Sequence, residues 1–141
     1  MNWRRALLAT LAILLAAFFT IVGWNKAFAP LADLARYGSW TVWLPESLGR
    51  LVGWSEMACA VTLLAMLVPR REHLARVAAA ILVANQVVAA AMHIAHGEFD
   101  ALPQNVVLVT LLLCVVCASG SWRPRGKTRG RKAPAGQGLV E

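Results

Sequence analysis

Residues 6–24 read ALLATLAILLAAFFTIVGW, a run of nineteen residues without a charged side chain. A helix of about 20 residues crosses a hydrocarbon core of about 30 Å. Three further apolar stretches of similar length follow, at about residues 49–68, 74–96 and 105–121. The four stretches predict an all-α fold, an integral membrane four-helix bundle that contacts the lipid bilayer.

The composition supports a single membrane domain. The chain has 141 residues, of which 59% are apolar and 15% charged, whereas an average soluble domain is less apolar and more charged. Residues 1–122 form the predicted transmembrane domain, and residues 123–141, rich in Gly, Arg, Lys and Pro, form a predicted disordered tail. The net charge of +7 is concentrated in this tail, the N-terminus and one loop. We therefore expect contact with anionic lipid and no nucleic-acid partner.

A short helix is predicted between the first and second spans. Residues 25–47 form the longest connection, and residues 30–37 within it read PLADLARY. Pro30 suits the first position of a helix, and Gly38 suits the position just after its C-terminus. Because this segment mixes apolar and charged residues, we predict that it lies at the membrane interface.

The distribution of basic residues predicts the orientation of the chain. If the N-terminus is cytoplasmic, eleven of the 14 Lys and Arg residues lie inside, and only three lie outside, namely Lys26, Arg36 and Arg50. Basic residues are enriched in cytoplasmic loops, so both termini are predicted to be cytoplasmic. A cleaved signal peptide is the alternative, but the first apolar run has the length of a full span.

Glu56 is the clearest candidate for chemistry within a span. An ionisable residue at membrane depth is costly and is by default a functional hypothesis. Helical spacing places Glu56 on one face with Gly49, Gly53 and Ala60, where another helix can approach closely. Two interpretations remain open at this point: a functional carboxyl, or a buried carboxyl that only holds helices together.

The third span carries a polar stripe near its outer end. Its members fall within an arc of roughly 100° on a helix, and they are Asn85, Gln86, His93 and His96. Of these, His93 and His96 would form one outer layer with Lys26 and Glu56, which could bind a polar group, pass protons or hold a metal. No metal site is predicted, because two histidines lack a clear third ligand. For the two amides, interhelical hydrogen bonds are the favoured alternative to ligand contacts.

Other polar or reactive residues have simpler interpretations. Cys114 and Cys117 have a C-x-x-C spacing but lie within an apolar helix, so we interpret them as ordinary buried thiols. Glu98 and Asp100 are interpreted as solvated loop charges. No nucleotide-binding, hydrolase or metalloprotease motif is present in the sequence.

Three short motifs resemble those of the DoxX-like family of small bacterial membrane proteins. They are Gly23-Trp24-Asn25-Lys26, Leu48-Gly49-x-x-x-Gly53-x-x-Glu56 and Ala91-Met92-His93-x-x-His96-Gly97 followed by Asn105. The resemblance implies a four-helix bundle in the inner membrane. It also implies a link to quinone, because some relatives are subunits of oxidoreductases such as thiosulfate:quinone oxidoreductase. Its pattern marks Lys26, Glu56 and His93 as the site residues.

These observations give two hypotheses of different classes. The first is a membrane subunit that supports quinone-linked redox chemistry, with Glu56 and His93 handling protons. Its ligand contacts would come from Lys26, Asn85, Gln86, His96 and the boundary residue Trp54. Because no redox motif is encoded, an oxidoreductase partner would supply electrons, and whether the chain is itself an enzyme stays open. The second hypothesis is a non-catalytic scaffold or partner-docking subunit, and a homo-oligomer is compatible with both.

Overall fold

The computed structural model describes residues 3–118 as an all-helical bundle. Helix α1 spans Trp3–Phe28 and the short helix α2 spans Leu31–Arg36. Helix α3 spans Glu46–Leu63, α4 spans Glu72–Ala95 and α5 spans Leu102–Ala118. Short 3₁₀ turns occupy Trp40–Trp43, Leu64–Leu67 and Phe99–Ala101. The predicted tail, residues 123–141, lies outside the described residues.

Four of the helical segments are long and apolar enough to cross a membrane. They are Trp3–Phe28, Glu46–Leu67, Glu72–Ala95 and Phe99–Cys117. This confirms the predicted four-helix membrane fold, and α2 is the predicted short helix between the first two spans. Each helix extends a few residues beyond its predicted N-terminal boundary, because polar first turns such as that at Glu46 and Glu72 were not counted as apolar span.

Two glycines end helices in the same way. Gly38 after α2 and Gly97 after α4 both have positive φ, at 65° and 74°. Each is followed by a residue whose backbone N–H reaches back to the preceding helix, Ser39 to Leu34 and Glu98 to His93, both at 2.9 Å. This is the Schellman motif, which favours glycine at the left-handed position. At α4 the motif turns the chain so that Glu98 lies beside the last turn of the helix.

The interior of the bundle has two chemically different halves. One half, which we call the apolar half, is a packed cluster of aliphatic and aromatic side chains from α1, α3, α4 and α5, including Leu15, Phe19, Leu63, Leu82 and Leu112. The other half lies at the end of the bundle that carries α2, and we call it the polar half. Its buried polar residues are Lys26, Thr41, Glu56, Gln86, His93 and Asn105.

Candidate functional site

A buried ion pair joins three helices in the polar half. Lys26 on α1 donates from Nζ to Oε1 of Glu56 on α3 at 2.6 Å, and Asn85 on α4 donates from Nδ2 to the same oxygen at 2.5 Å. Lys26 and Glu56 are 5% and 1% exposed. A buried charge needs a partner of opposite sign and further hydrogen bonds. The Lys26–Glu56–Asn85 cluster satisfies that need and fixes the relative positions of α1, α3 and α4.

Close packing of α1 against α3 brings Lys26 and Glu56 within reach of each other. A Cβ atom on Gly53 would lie 2.6 Å from both Gly23 O and Ala27 N, and one on Gly23 would lie 2.7 Å from Gly53 O. The two backbones therefore approach as closely as only glycine allows. Three residues after Gly53, Glu56 projects toward Lys26 from the same face of α3.

Arg50 holds the end of α1 in place. Its Nη1 donates to the carbonyl oxygens of Lys26 at 3.1 Å and Ala29 at 2.5 Å, and its Nη2 pairs with Glu46 at 3.0 Å. The last carbonyls of a helix have no partner within the helix, so a neighbouring guanidinium can supply one. Arg50, which sequence analysis used only for orientation, thus positions the backbone of Lys26.

A cavity of about 180 Å³ lies beside the ion pair, among α1, α2, α4 and α5. Its polar wall is formed by Asn25, Lys26, Trp40, Gln86, His93, Gln104 and Asn105. Its apolar wall is formed by Phe18, Val22, Leu34, Ala89 and Leu108, and the exposed Tyr37 also borders it. The cavity therefore combines an apolar wall with a polar wall whose residues can form hydrogen bonds.

Two wall residues carry buried donors without a partner. Among residues 3–118, the side-chain N–H groups of Trp40 (Nε1) and Asn105 (Nδ2) are buried and form no hydrogen bond. The acceptor Oε2 of Glu56 is likewise buried without a hydrogen bond. An unsatisfied buried donor costs about 1–3 kcal/mol. Lys26 Nζ also lies 5.5 Å from the centre of the Trp40 ring. The polar wall therefore contains two donors without a protein partner next to a cation, and both donor atoms are enclosed by protein and not exposed to the cavity.

His93 connects the cavity to the surface. Its Nδ1 lies 2.9 Å from Oε2 of Glu98, whose side chain is 43% exposed whereas that of His93 is 6% exposed. Trp43 contacts both histidines: its ring is perpendicular to that of His93, with centres 5.8 Å apart, and stacked on that of His96, with centres 3.9 Å apart. His96 is exposed, and its Nδ1 lies 2.8 Å from the carbonyl oxygen of Met92.

The structure separates the predicted site residues into three groups. Lys26, Glu56 and Asn85 form the ion-pair cluster, and Lys26, Gln86 and His93 border the cavity. His96 lies at the surface under Trp43, outside the cavity wall. Trp54 is exposed on α3 and packs edge-on against Phe28, with ring centres 5.1 Å apart, also away from the cavity.

Two of the simpler interpretations require correction. Glu98 is not only a solvated loop charge, because the Schellman turn at Gly97 brings its carboxylate to His93. Cys114 and Cys117 are free thiols on the exposed side of α5, not buried ones. The reason is that α5 packs through Leu108, Leu112 and Val115, which leaves both cysteines on the opposite side of the helix.

Sequence reasoning did not identify Trp40 and Asn105 as wall residues. Trp40 was not singled out in the sequence, and Asn105 was noted only as the start of the last span and the end of the third family motif. A polar residue at the first turn of an apolar helix was the available signal for Asn105. In the described part of the chain, no three His, Cys, Asp or Glu side chains are grouped so that they could hold a metal ion.

The fold and this site define a four-helix membrane protein with a buried ion pair and a polar-walled cavity at one end. The sequence profile described as the DoxX-like family matches residues 10–117, so the chain belongs to that family. No curated protein and no solved structure matches the chain. This match confirms the predicted family, and it covers all but a few terminal residues of the described bundle.

Proposed function

We propose that this DoxX-like protein is a membrane subunit that binds a quinone-like ring in its cavity and supports the redox chemistry of a partner oxidoreductase. The observation that carries the proposal is the cavity with one polar wall and one apolar wall at the end of the bundle. A lipophilic molecule with ring oxygens needs both kinds of surface. The proposal places this binding site next to the buried lysine.

The size of the cavity suits a single ring. A cavity of about 150 Å³ is large enough to bind benzene, and this one has a volume of about 180 Å³. The apolar residues Val22, Ala89 and Leu108 would pack against the ring. An isoprenoid tail would have to remain in the surrounding lipid, since the cavity has no room for it.

The residues of the polar wall fit a ligand with acceptor oxygens. The amide of Gln86 can donate a hydrogen bond to the ligand, and small rotations of Trp40 and Asn105 would bring their unpartnered N–H groups to it. Lys26 supplies positive charge, and Glu56 and Asn85 hold that charge in position. A bound quinone would supply two-electron, two-proton redox chemistry. Within this proposal, His93 exchanges a proton with the ligand, and Glu56 acts through Lys26.

Electrons would come from the partner, because the sequence encodes no motif for a redox centre. We further propose that the chain resides in a bacterial inner membrane with both termini cytoplasmic, as the eleven inner basic residues favour. The cavity would then open on the outer side, where Tyr37 borders it.

The test is to fill the cavity. Ala89 is buried and borders the cavity, and Ala91 is exposed on the same helix. We expect Ala89→Leu to abolish binding of a short-chain benzoquinone to the protein in lipid nanodiscs, measured by quenching of tryptophan fluorescence. Ala91→Leu is the matched control and should bind like the unchanged protein. Equal binding by both variants would remove the cavity as the ligand site.

The scaffold function remains a second candidate, because one observation favours it. Glu56 is bound to groups on two other helices and does not itself border the cavity. If the cluster serves only packing, Glu56→Gln will lower stability in detergent and recovery of a partner without changing quinone affinity in the protein that stays folded. A loss of quinone affinity at unchanged stability would support the redox function instead.

A further inference from the structure

Glu98 has no role in the proposed site, yet it forms the one side-chain hydrogen bond of His93 within residues 3–118. The bond joins Nδ1 of His93 to Oε2 of Glu98 at 2.9 Å. The Schellman turn fixes this contact, because Glu98 N also donates to the backbone oxygen of His93 at 2.9 Å. The carboxylate is therefore held to the histidine by both side chain and backbone.

A carboxylate accepts hydrogen bonds, so this contact selects one form of the neutral histidine. Ionised Glu98 can only accept a hydrogen bond, so Nδ1 of a neutral His93 carries the proton, and Nε2 then has a free lone pair. Because Nδ1 is engaged by Glu98, Nε2 is the ring nitrogen left for a ligand in the cavity that His93 borders. In this arrangement His93 is a proton acceptor toward the cavity.

The surroundings favour the charge that would form on the ring. Glu98 is half exposed, so its charge is solvated, and it lies next to the ring that would become an imidazolium. A carboxylate that orients a histidine and stabilises its imidazolium is the arrangement found in catalytic triads. Trp43 lies next to His93 with its ring perpendicular to the imidazole, and the His93 side chain is only 6% exposed, so little of the imidazole contacts water.

We propose that Glu98 is a positioning residue that prepares His93 to accept the proton of a hydroxyl group on a ring in the cavity. The O–H bond of the ligand breaks, an N–H bond forms at Nε2, and the positive charge on His93 is balanced by Glu98. The oxygen left behind carries the negative charge, and Lys26, which also borders the cavity, supplies positive charge near it. This inference rests on the proposed function, since it needs a ring bound in the cavity.

A phenol that changes colour on losing its proton tests the inference directly. We would add 4-nitrophenol to the protein in nanodiscs, at a pH at which the free phenol is neutral. Binding is measured by quenching of tryptophan fluorescence, and deprotonation by the absorbance of the phenolate. We expect the unchanged protein to bind the probe and to convert part of it to phenolate.

The informative variant is Glu98→Gln, which keeps an acceptor oxygen for Nδ1–H but removes the charge. We expect its probe binding to change by less than about twofold while the phenolate fraction of bound probe falls by about tenfold, the size expected for one charged hydrogen bond. Asp100→Asn is the matched control, because Asp100 is an exposed carboxylate on the same loop that forms no hydrogen bond to His93 within residues 3–118. That control should behave like the unchanged protein.

The outcomes separate this inference from the proposed function. If the unchanged protein does not bind the probe, the cavity is not a ring site, and both proposals fail. Two outcomes overturn only the role of Glu98 and His93. In the first, the unchanged protein binds the probe but produces no phenolate; in the second, Glu98→Gln produces the same phenolate fraction as the unchanged protein.

A measurement without ligand gives an independent check. In a His73→Asn, His96→Asn background, His93 is the one remaining histidine of the chain. Its ¹⁵N chemical shifts should show a protonated Nδ1 and an unprotonated Nε2. The reverse assignment would overturn the inference even if Glu98→Gln failed to fold.

Discussion

The two halves of the bundle use the same four helices but are stabilised by different interactions. In the apolar half, side chains such as Leu63 and Leu112 are fully buried and packed against each other. In the polar half, the helices are joined by one ion-pair cluster and leave a cavity of about 180 Å³ next to it. In a bilayer the lipid is as apolar as leucine, so packing and hydrogen bonds, and not burial from water, hold helices together.

This difference predicts where single substitutions have the largest effect. In the polar half, stability depends on a few specific partners, so the loss of one leaves another unsatisfied. In the apolar half it is spread over many small contacts. The polar half therefore combines the most sensitive residues for stability with the candidate ligand site.

The largest expected effect is that of removing Glu56. Glu56→Ala leaves the ammonium of Lys26 buried without a counter-charge, and loss of one partner of a buried ion pair costs about 3–5 kcal/mol. The free energy of unfolding in mixed micelles, measured by titration with a denaturing detergent, should fall by that amount. A Lys26→Met, Glu56→Leu double variant should recover most of the loss, since neither charge remains.

The matched control for this prediction is Glu46→Gln. Glu46 also pairs with a basic residue, Arg50, but its side chain is 59% exposed. An exposed pair of this kind contributes at most about 0.5 kcal/mol. If Glu56→Ala were no more destabilising than this control, the ion-pair cluster would not hold the polar half together.

The second prediction concerns the contact between α1 and α3. Gly53→Ala would place a methyl group 2.6 Å from backbone atoms of α1, which cannot move without separating the helices. Overpacking of this kind costs about 1–3 kcal/mol. Gly49→Ala is the control, because its added methyl group would lie 3.2 Å from Thr41 O and needs a smaller shift. Unfolding titrations that ranked the two variants in reverse would contradict the close approach at Gly53.

The third prediction tests the apolar half. Leu112→Ala removes a fully buried side chain and should lower the free energy of unfolding by about 1–2 kcal/mol, below the range for water-soluble cores, because only the packing contribution is lost in lipid. The adjacent Leu113 is 44% exposed, and Leu113→Ala should have almost no effect. Quinone affinity should be unchanged in both variants. A weaker affinity in Leu112→Ala would show that the two halves are coupled.

The sequence was sufficient to predict the parts of the structure that depend on local patterns. The length of the apolar runs predicted the four helices, and Pro30 with Gly38 predicted α2. Helical spacing also predicted that Glu56 faces the bundle interior on the same side as Gly53. In each case one helix, considered alone, contained the necessary information.

The parts that depend on how helices rotate against each other could not be predicted in this way. Asn85 and Gln86 are neighbours in sequence, but Asn85 contacts Glu56 on α3 and Gln86 borders the cavity. The contact between Glu98 and His93 needs the left-handed turn at Gly97. Periodicity places residues on a helical face but does not say which neighbour covers that face.

The smallest expected effect is that of Trp54, which the sequence suggested as a ligand contact. In the structure Trp54 packs on Phe28 at the exposed surface of α1 and α3, whereas Trp40 borders the cavity and has a free N–H group. We expect Trp54→Phe to change quinone affinity by less than about twofold, and Trp40→Phe to weaken it by about fivefold through loss of one hydrogen bond. Calorimetric titration in nanodiscs compares the two without relying on tryptophan fluorescence. Equal losses in both variants would mean that the ligand also contacts the Phe28 surface, and the cavity would then not be the whole binding site.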